Sequence, residues 1–283
     1  MNSPEDVATA GQLACLLEVS APKPGNVSPG RHFHDTRFED FLASAAAIGP
    51  ALARAGEQPL GATIRAAVEA TVRWTRSNTN LGIVLLLAPV ARAALRHRGA
   101  LRDGVREVLA TTTLADAAEV YAAIRRARPG GLGSAAAEDV ADAPTVTLTE
   151  AMALAAARDS VAREYATDFA TTFELGAPAV RTAREAGLDW SDAVVEAYLA
   201  VLAALPDTHI ARKLGRAEAE DVSRRAAEVQ AAGGVRTDPG RRALAALDAA
   251  LRSPDNRRNP GTTADLTCAA VFVVILEGNW HRH

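Results

Sequence analysis

Lys23 stands between Pro22 and Pro24 and is followed by Gly25-Asn26. The prolines restrict the backbone on both sides of the lysine, and glycine frees it directly afterwards. Such a stiff turn can present one ammonium at a fixed place, and a pre-ordered donor loses little entropy when an anion arrives. A Pro/Gly helix stop carrying a solvated lysine has the same sequence. Four further polar clusters interrupt an Ala/Leu background. They are Arg31-His-Phe-His-Asp35, Ser77-Asn-Thr-Asn-Leu-Gly82, Pro206-Asp-Thr-His-Ile-Ala-Arg-Lys213 and Asn259-Pro-Gly-Thr-Thr-Ala-Asp265.

Each cluster has an architectural reading. Asn78, Asn80 and Asp207 are suited to helix N-caps, and Thr262 with Asp265 is spaced like a capping box. Two of these openings carry more amides and hydroxyls than capping requires, and helix N-termini of that kind bind anions. Lys23, Asn26, Asn78, Asn80, His209, Arg212, Lys213, Thr262 and Thr263 are therefore the residues expected to cradle a polyphosphate.

The carboxylates divide by helical geometry. If residues 149–175 form one helix, Val161, Tyr165, Phe169 and Phe173 make its apolar stripe. At about 100° per residue, Glu164 and Asp168 then fall beside that stripe and Asp159 opposite, as a surface partner of Arg163. Shielded like charges one turn apart repel and are costly to desolvate. Mg²⁺ bound by carboxylates and phosphate oxygens would relieve both problems. Glu18 poses the same question beside Leu16 and Leu17. Glu18, Asp35 and Asp168 are the expected metal ligands, and Glu164, Asp207 and Asp265 the expected catalytic carboxylates.

The elements that must position these groups are helical. Apolar residues recur at helical spacing over 5–19, 37–54, 59–76, 149–175, 177–187, 190–205, 216–232, 239–252 and 262–278. Gly82–Arg96 is apolar nearly throughout and should be central. Thr113-Leu-Ala-Asp116 reads as a capping box opening another helix, which ends near Arg128-Pro-Gly-Gly131. Only Thr145-Val-Thr-Leu148 has strand character. The expected fold is all-α, one domain over 1–283 of roughly ten helices, with a flexible loop at 129–148.

The 283 residues are 48% apolar but only 4% aromatic, which suits closely packed small side chains. A net charge of −3 argues against nonspecific nucleic-acid binding. Cys15 and Cys268 lie far apart in apolar patterns and read as buried thiols of a reducing compartment. The start, Met1-Asn-Ser-Pro-Glu-Asp6, has no signal-type apolar run, and Leu266–Leu276 is too short to span a bilayer. The expected location is cytoplasmic, away from membranes.

The clusters also occur in a telling order. Leu17-Glu-Val19, Pro22-Lys-Pro-Gly25, His34-Asp35, Asn78-Thr-Asn-Leu-Gly82, Asp207-Thr208, Gly233-Gly-Val-Arg-Thr237 and Pro260-Gly-Thr-Thr-Ala-Asp-Leu266 together resemble the triphosphoribosyl-dephospho-CoA synthase family. The resemblance spans nearly the whole chain. It implies an all-α ATP-dependent transferase in which the 2′-hydroxyl of dephospho-CoA attacks the ribose C1 of ATP and adenine leaves. Such chemistry needs a metal on the triphosphate, a base for the hydroxyl, a hydrogen bond for departing adenine and a carboxylate near an oxocarbenium-like sugar. Glu164 matches a family acid.

The expected partners are ATP, with Mg²⁺, and a dephospho-CoA-like acceptor, without nucleic acid or membrane, and a homodimer is an option. On this reading, Lys23→Ala should weaken ATP binding and leave the fold intact. The chain departs from the family pattern at three points: Asn80-Leu81 replaces a usual His-Lys pair, Asn26-Val-Ser28 replaces an apolar residue and an acid, and Ile210-Ala-Arg-Lys213 replaces a Gly-rich ending. A divergent enzyme of another cofactor pathway, a non-catalytic nucleotide-binding module and a metal-dependent phosphohydrolase are the alternatives.

Overall fold

The computed structural model describes residues 2–130, 133, 137–278 and 280. Regular structure among them is helical throughout: fourteen α-helices, a π-helical turn at Thr171–Gly176 and a 3₁₀ turn at Gly234–Arg236. The expected fold class holds. The helices group into two compact units, Met1–Cys15 with Glu39–Ala170, and Leu16–Phe38 with Thr171–His283. Among the described residues no single helix is long and apolar enough to cross a membrane.

The first unit contains most of α1 (Pro4–Ser20) and α2 (Phe38–Ala53), and α3 (Leu60–Val72), α4 (Leu81–Arg96), α5 (Leu101–Ala110), α6 (Leu114–Ala127), α7 (Leu148–Ala155) and α8 (Ser160–Ala166). Nearly every residue of α4 from Leu81 to Ala94 is buried, as its almost wholly apolar sequence, interrupted by Arg92, requires. It packs against α3, α5 and α8, and the buried Tyr165 hydroxyl of α8 donates to Leu85 O at 2.6 Å. The capping box at Thr113 forms: Thr113 Oγ1 accepts from Asp116 N, and Asp116 Oδ2 from Thr113 N. The other oxygen of Asp116 accepts from Gly61 N at 2.7 Å, which pins the start of α3 to α6.

Three local readings change. First, α5 and α11 (Thr208–Leu214) are additional, short helices in segments whose charge density hides the apolar period. Second, Thr145–Leu148 forms no strand; Thr147 caps α7, exchanging bonds with Glu150. Of the segment 129–148, residues 131, 132 and 134–136 lie outside the described residues. Beyond them the chain is tied down, with Tyr121 Oη donating to Glu138 O at 3.0 Å and Thr145 N to the Glu138 carboxylate at 3.1 Å.

Third, residues 149–175 are broken twice. Asp159 is the N-cap of α8, accepting from Val161 N and Ala162 N. After Ala166 the consecutive residues Asp168 and Phe169 take left-handed backbone angles, φ 51° and 58°. Phe169 N donates to Glu164 O at 2.8 Å, the six-to-one bond that closes helix ends. The expected helical relation between Glu164 and Asp168 is therefore lost.

The second unit contains α9 (Ala177–Glu185), α10 (Trp190–Ala204), α11, α12 (Arg216–Ala231), α13 (Asp238–Leu251) and α14 (Gly261–Leu276). α14 is buried on all sides and packs against α9, α10 and α11. The Gly233–Thr237 motif serves architecture. Val235 N donates to Glu196 Oε1 at 2.8 Å, and a Cβ added at Gly240 would stand 2.2 Å from Gly234 O, so α13 begins in contact with that backbone.

Candidate functional site

In the second unit α1 stops at Ser20 and the Pro22–Gly25 turn follows. Gly25 takes φ +76°, and a Cβ there would lie 2.9 Å from Leu251 Cβ and 3.1 Å from Pro260 Cδ. Glycine is thus required both for the turn and for its contact with the segment that opens α14. The turn's amide at Gly25 donates to Asp248 Oδ1 of α13 at 2.8 Å. Asn26 Nδ2 donates to the Tyr198 hydroxyl at 2.9 Å, and that hydroxyl donates to Pro24 O at 2.8 Å. Asn26 is therefore a scaffold residue in this state.

Lys23 is placed differently from the sequence expectation. It is 1% exposed, and its ammonium is directed inward. It donates to Glu18 O and to Ala21 O, and forms an ion pair with Glu18 Oε1 at 2.9 Å. Three N–H donors meet three protein acceptors, so no donor remains for a ligand unless a bond is exchanged. The same pair answers the question posed by Glu18: a lysine neutralises its carboxylate.

The second motif of this unit is an interlock. Asp207, 2% exposed, is the N-cap of α11, its Oδ1 accepting from His209 N and Ile210 N at 2.8 and 3.0 Å. Its Oδ2 accepts from Thr263 N at 2.7 Å and Thr263 Oγ1 at 2.8 Å, in the first turn of α14. One carboxylate thus caps two helices. The expected Thr262–Asp265 capping box does not form, because Pro260 is the N-cap and makes no side-chain cap bond. Thr262 Oγ1 instead lies 3.2 Å from Thr208 Oγ1. Burial raises the pKa of Asp207, opposed by its hydrogen bonds from Thr263, Ile210 and His209. Asp265 is half-buried, directly after the first turn of α14.

His209 and Asn259 flank Gly261, with His209 Nδ1 3.1 Å and Asn259 Nδ2 3.6 Å from where a Gly261 Cβ would stand. His209 Nε2 and Asn259 Oδ1 are buried and make no hydrogen bond. Burial, then Lys213 and Arg212, push the His209 pKa down to about 3, so the ring is neutral at physiological pH. Lys213 is also lowered, by burial first and then Arg212, with Asp35 acting in the opposite sense. Arg257 donates to Lys213 O, and Asn256 Nδ2 lies 2.9 Å from His34 Nδ1. Cations thus gather around the end of α11.

The His209 shift has a measurable consequence. A base whose folded pKa lies below its unfolded value binds fewer protons in the native state. Its stabilising contribution is complete above the unfolded pKa of about 6.5 and is lost as pH falls toward about 3. His209→Gln should therefore flatten the acid limb of the stability curve across that window, as read by urea denaturation at a series of pH values. The parent's excess slope is at most about 1.4 kcal/mol per pH unit. Identical slopes for parent and variant would show that the ring titrates normally.

The remaining expected site residues lie in the first unit. Asn78 Oδ1 accepts from Leu81 N at 3.0 Å, a cap for α4. Asn80 Nδ2 donates to Thr71 Oγ1 at 3.0 Å. Glu164 is fully buried on α8. Asp168 is not shielded beside it; its carboxylate is 40% exposed and pairs with Arg106 Nε at 3.0 Å. Among the described residues no group of three or more His, Cys, Asp or Glu side chains converges to hold a metal. The three expected ligands do not fit a preformed Mg²⁺ site: Glu18 and Asp168 are ion-paired, and the Asp35 side chain is 60% exposed beside His34.

Residues outside the expected set also matter here. Asp248 anchors the turn, and Arg31 and Arg252 share its carboxylate. Asp248 had one legible signal: it lies between Leu247 and Leu251 on the buried face of α13.

Residues 4–283 match the family model described as ATP:dephospho-CoA triphosphoribosyl transferase, and the chain belongs to that family. A Stutzerimonas stutzeri protein named as a probable 2-(5''-triphosphoribosyl)-3'-dephosphocoenzyme-A synthase is 27% identical over 270 residues, 89% of this chain and 85% of that one. A Klebsiella pneumoniae protein with the 2-(5''-triphosphoribosyl)-3'-dephosphocoenzyme-A synthase name is 34% identical over 99 residues, a match spanning 35% of each chain. A crystal structure from Archaeoglobus fulgidus, described as that of a putative triphosphoribosyl-dephospho-CoA synthase, superposes with a TM-score of 0.65 at 28% identity. It covers 84% of this chain and 99% of that chain. The family resemblance read from the motifs is thereby borne out.

Proposed function

We propose that this protein transfers the triphosphoribosyl group of ATP to the 2′-hydroxyl of dephospho-CoA. The hydroxyl oxygen forms the new bond to ribose C1′, the bond from C1′ to adenine N9 breaks, and the hydroxyl proton ends on the released adenine. One observation carries this reading beyond family membership. The Pro22–Gly25 turn, Asp207-Thr208 and the opening of α14 are interlocked in one unit, beside Arg31, Arg212, Lys213, Arg252 and Arg257. A triphosphate carries several negative charges, and such a cationic rim suits it.

Within that unit we assign the acceptor hydroxyl to Asp265, half-buried near the start of α14, while Asp207 holds the starts of α11 and α14. Neutral His209 can exchange a hydrogen bond with a base but cannot serve as a cationic acid near neutral pH. Mg²⁺ enters this reading as the chelate of ATP, held chiefly by phosphate oxygens.

Chromatography of the purified protein with ATP, dephospho-CoA and Mg²⁺ should yield free adenine only when both substrates are present. Asp265→Asn should slow that release by about 10²–10⁴-fold, the usual size of a general-base contribution. Inorganic phosphate without adenine would favour a phosphohydrolase. ATP binding with neither product would favour a non-catalytic nucleotide-binding module.

A further inference from the structure

We propose that Arg31 and Arg252, gathered on the buried carboxylate of Asp248, form a preorganised fork for a polyphosphate group. This rests on the function proposed above only in the identity of the ligand. The Asp248 side chain is 11% exposed and accepts from Gly25 N at 2.8 Å, Arg252 Nε at 3.1 Å and Arg31 Nη1, with Arg252 Nη2 2.9 Å from its Oδ1. Two guanidinium groups on one carboxylate leave a net positive charge. Arg252 is held once more, its Nη2 donating to Asn26 O at 2.9 Å.

Arg31 is fixed at both ends. Its backbone closes a tight hairpin with Ser28, through Ser28 N to Arg31 O at 3.0 Å and Arg31 N to Ser28 O at 2.8 Å. Its head is tied to Asp248, yet the side chain is 51% exposed. A guanidinium has five N–H donors in a planar fork matched to phosphate, and among the described residues one of them is spent on the protein. A flexible surface arginine loses much rotamer entropy on binding an anion; this one is ordered beforehand. A purely architectural role does not need it, because the direct bond from Gly25 N to Asp248 already fastens the turn to α13.

Calorimetry with inorganic tripolyphosphate tests the fork in the full-length protein. Arg31→Gln should raise the dissociation constant about 10- to 100-fold, the size expected for lost hydrogen bonds to a charged group, at an unchanged melting temperature. Arg31→Lys, which keeps the charge without the planar fork, should recover only part of the affinity. Arg224→Gln is the control, since Arg224 pairs with Asp221 and Glu228 on the exposed face of α12; it should bind as the parent does.

Displacement of ATP by tripolyphosphate assigns the fork to the donor's triphosphate, and displacement of dephospho-CoA assigns it to the acceptor's pyrophosphate. Displacement of neither overturns the proposal. So does parent-like affinity in Arg31→Gln, or equal losses in Arg31→Gln and Arg224→Gln. Should Arg31→Gln melt lower, parent-like affinity in Arg31→Lys would overturn the fork in favour of simple charge. Adenine release separates the two ideas. A parent that binds tripolyphosphate through Arg31 but releases no adenine retains the fork and loses the transferase reading. A parent that releases adenine, with Arg31→Gln binding normally, does the reverse.

Discussion

Lys23→Ala should lower the stability of the protein by about 3–5 kcal/mol, enough to leave much of it unfolded at moderate temperature. The substitution removes a buried ammonium and leaves the Glu18 carboxylate, 2.9 Å away and also buried, without its counter-ion. It also strips a donor from Glu18 O and Ala21 O at the end of α1. An unpaired buried charge is more costly than the pair is favourable, so a double replacement should behave better than the single one. Glu18→Gln combined with Lys23→Met should recover most of the loss. Urea denaturation of the parent and the two variants reads this out, and a Lys23→Ala protein as stable as its parent would refute it. The outcome also decides how ATP affinity is interpreted, since lost binding in an unfolded variant says nothing about a phosphate contact.

Asp207→Ala should cost about 2–4 kcal/mol. Losing one N-cap typically costs ~1 kcal/mol, and each buried amide left without an acceptor adds about 1–3 kcal/mol, partly relieved by water. Here the carboxylate receives two amides of α11 and the amide and hydroxyl of Thr263 in α14. The partial positive charge at those helix starts also favours an anion there. Thr263→Val removes the hydroxyl bond alone and should cost about 1 kcal/mol. Thermal melts of both variants test the interlock. An Asp207→Ala protein that melts with the parent yet releases no adenine would make Asp207 a catalytic group instead of a cap.

These two predictions mark where sequence reasoning stopped. The turn at Pro22–Gly25 was legible because proline and glycine act on the backbone within one or two residues. The direction of Lys23 was not, because Glu18 is brought within reach by the end of α1. Asp207 was legible as an N-cap, although the short helix α11 that it opens was not. Its bonds to Thr263 join residues separated by 56 positions, and those of Asp248 to Gly25 and Arg31 by 223 and 217. No local pattern announces such pairs. The broken segment after Ala155 failed for a related reason. Its apolar residues keep helical spacing, but Asp159 captures the amides that open α8, and the left-handed pair Asp168-Phe169 closes it. Asp168 then turns to Arg106 at 3.0 Å, away from any pairing with Glu164.

The sequence by itself determined the all-α class, the two most apolar helices α4 and α14, the capping box at Thr113 and the family, because periodicity, local caps and motif order are properties of neighbouring residues. Tertiary structure alone decided which charges are buried and with whom. Lys23, chosen from sequence as the exposed ligand, is inside with Glu18, while Arg31 stands half in solvent on a buried carboxylate. The physical reason is that desolvating a charge requires a partner, and the partner's identity depends on which helices pack together, not on spacing along the chain.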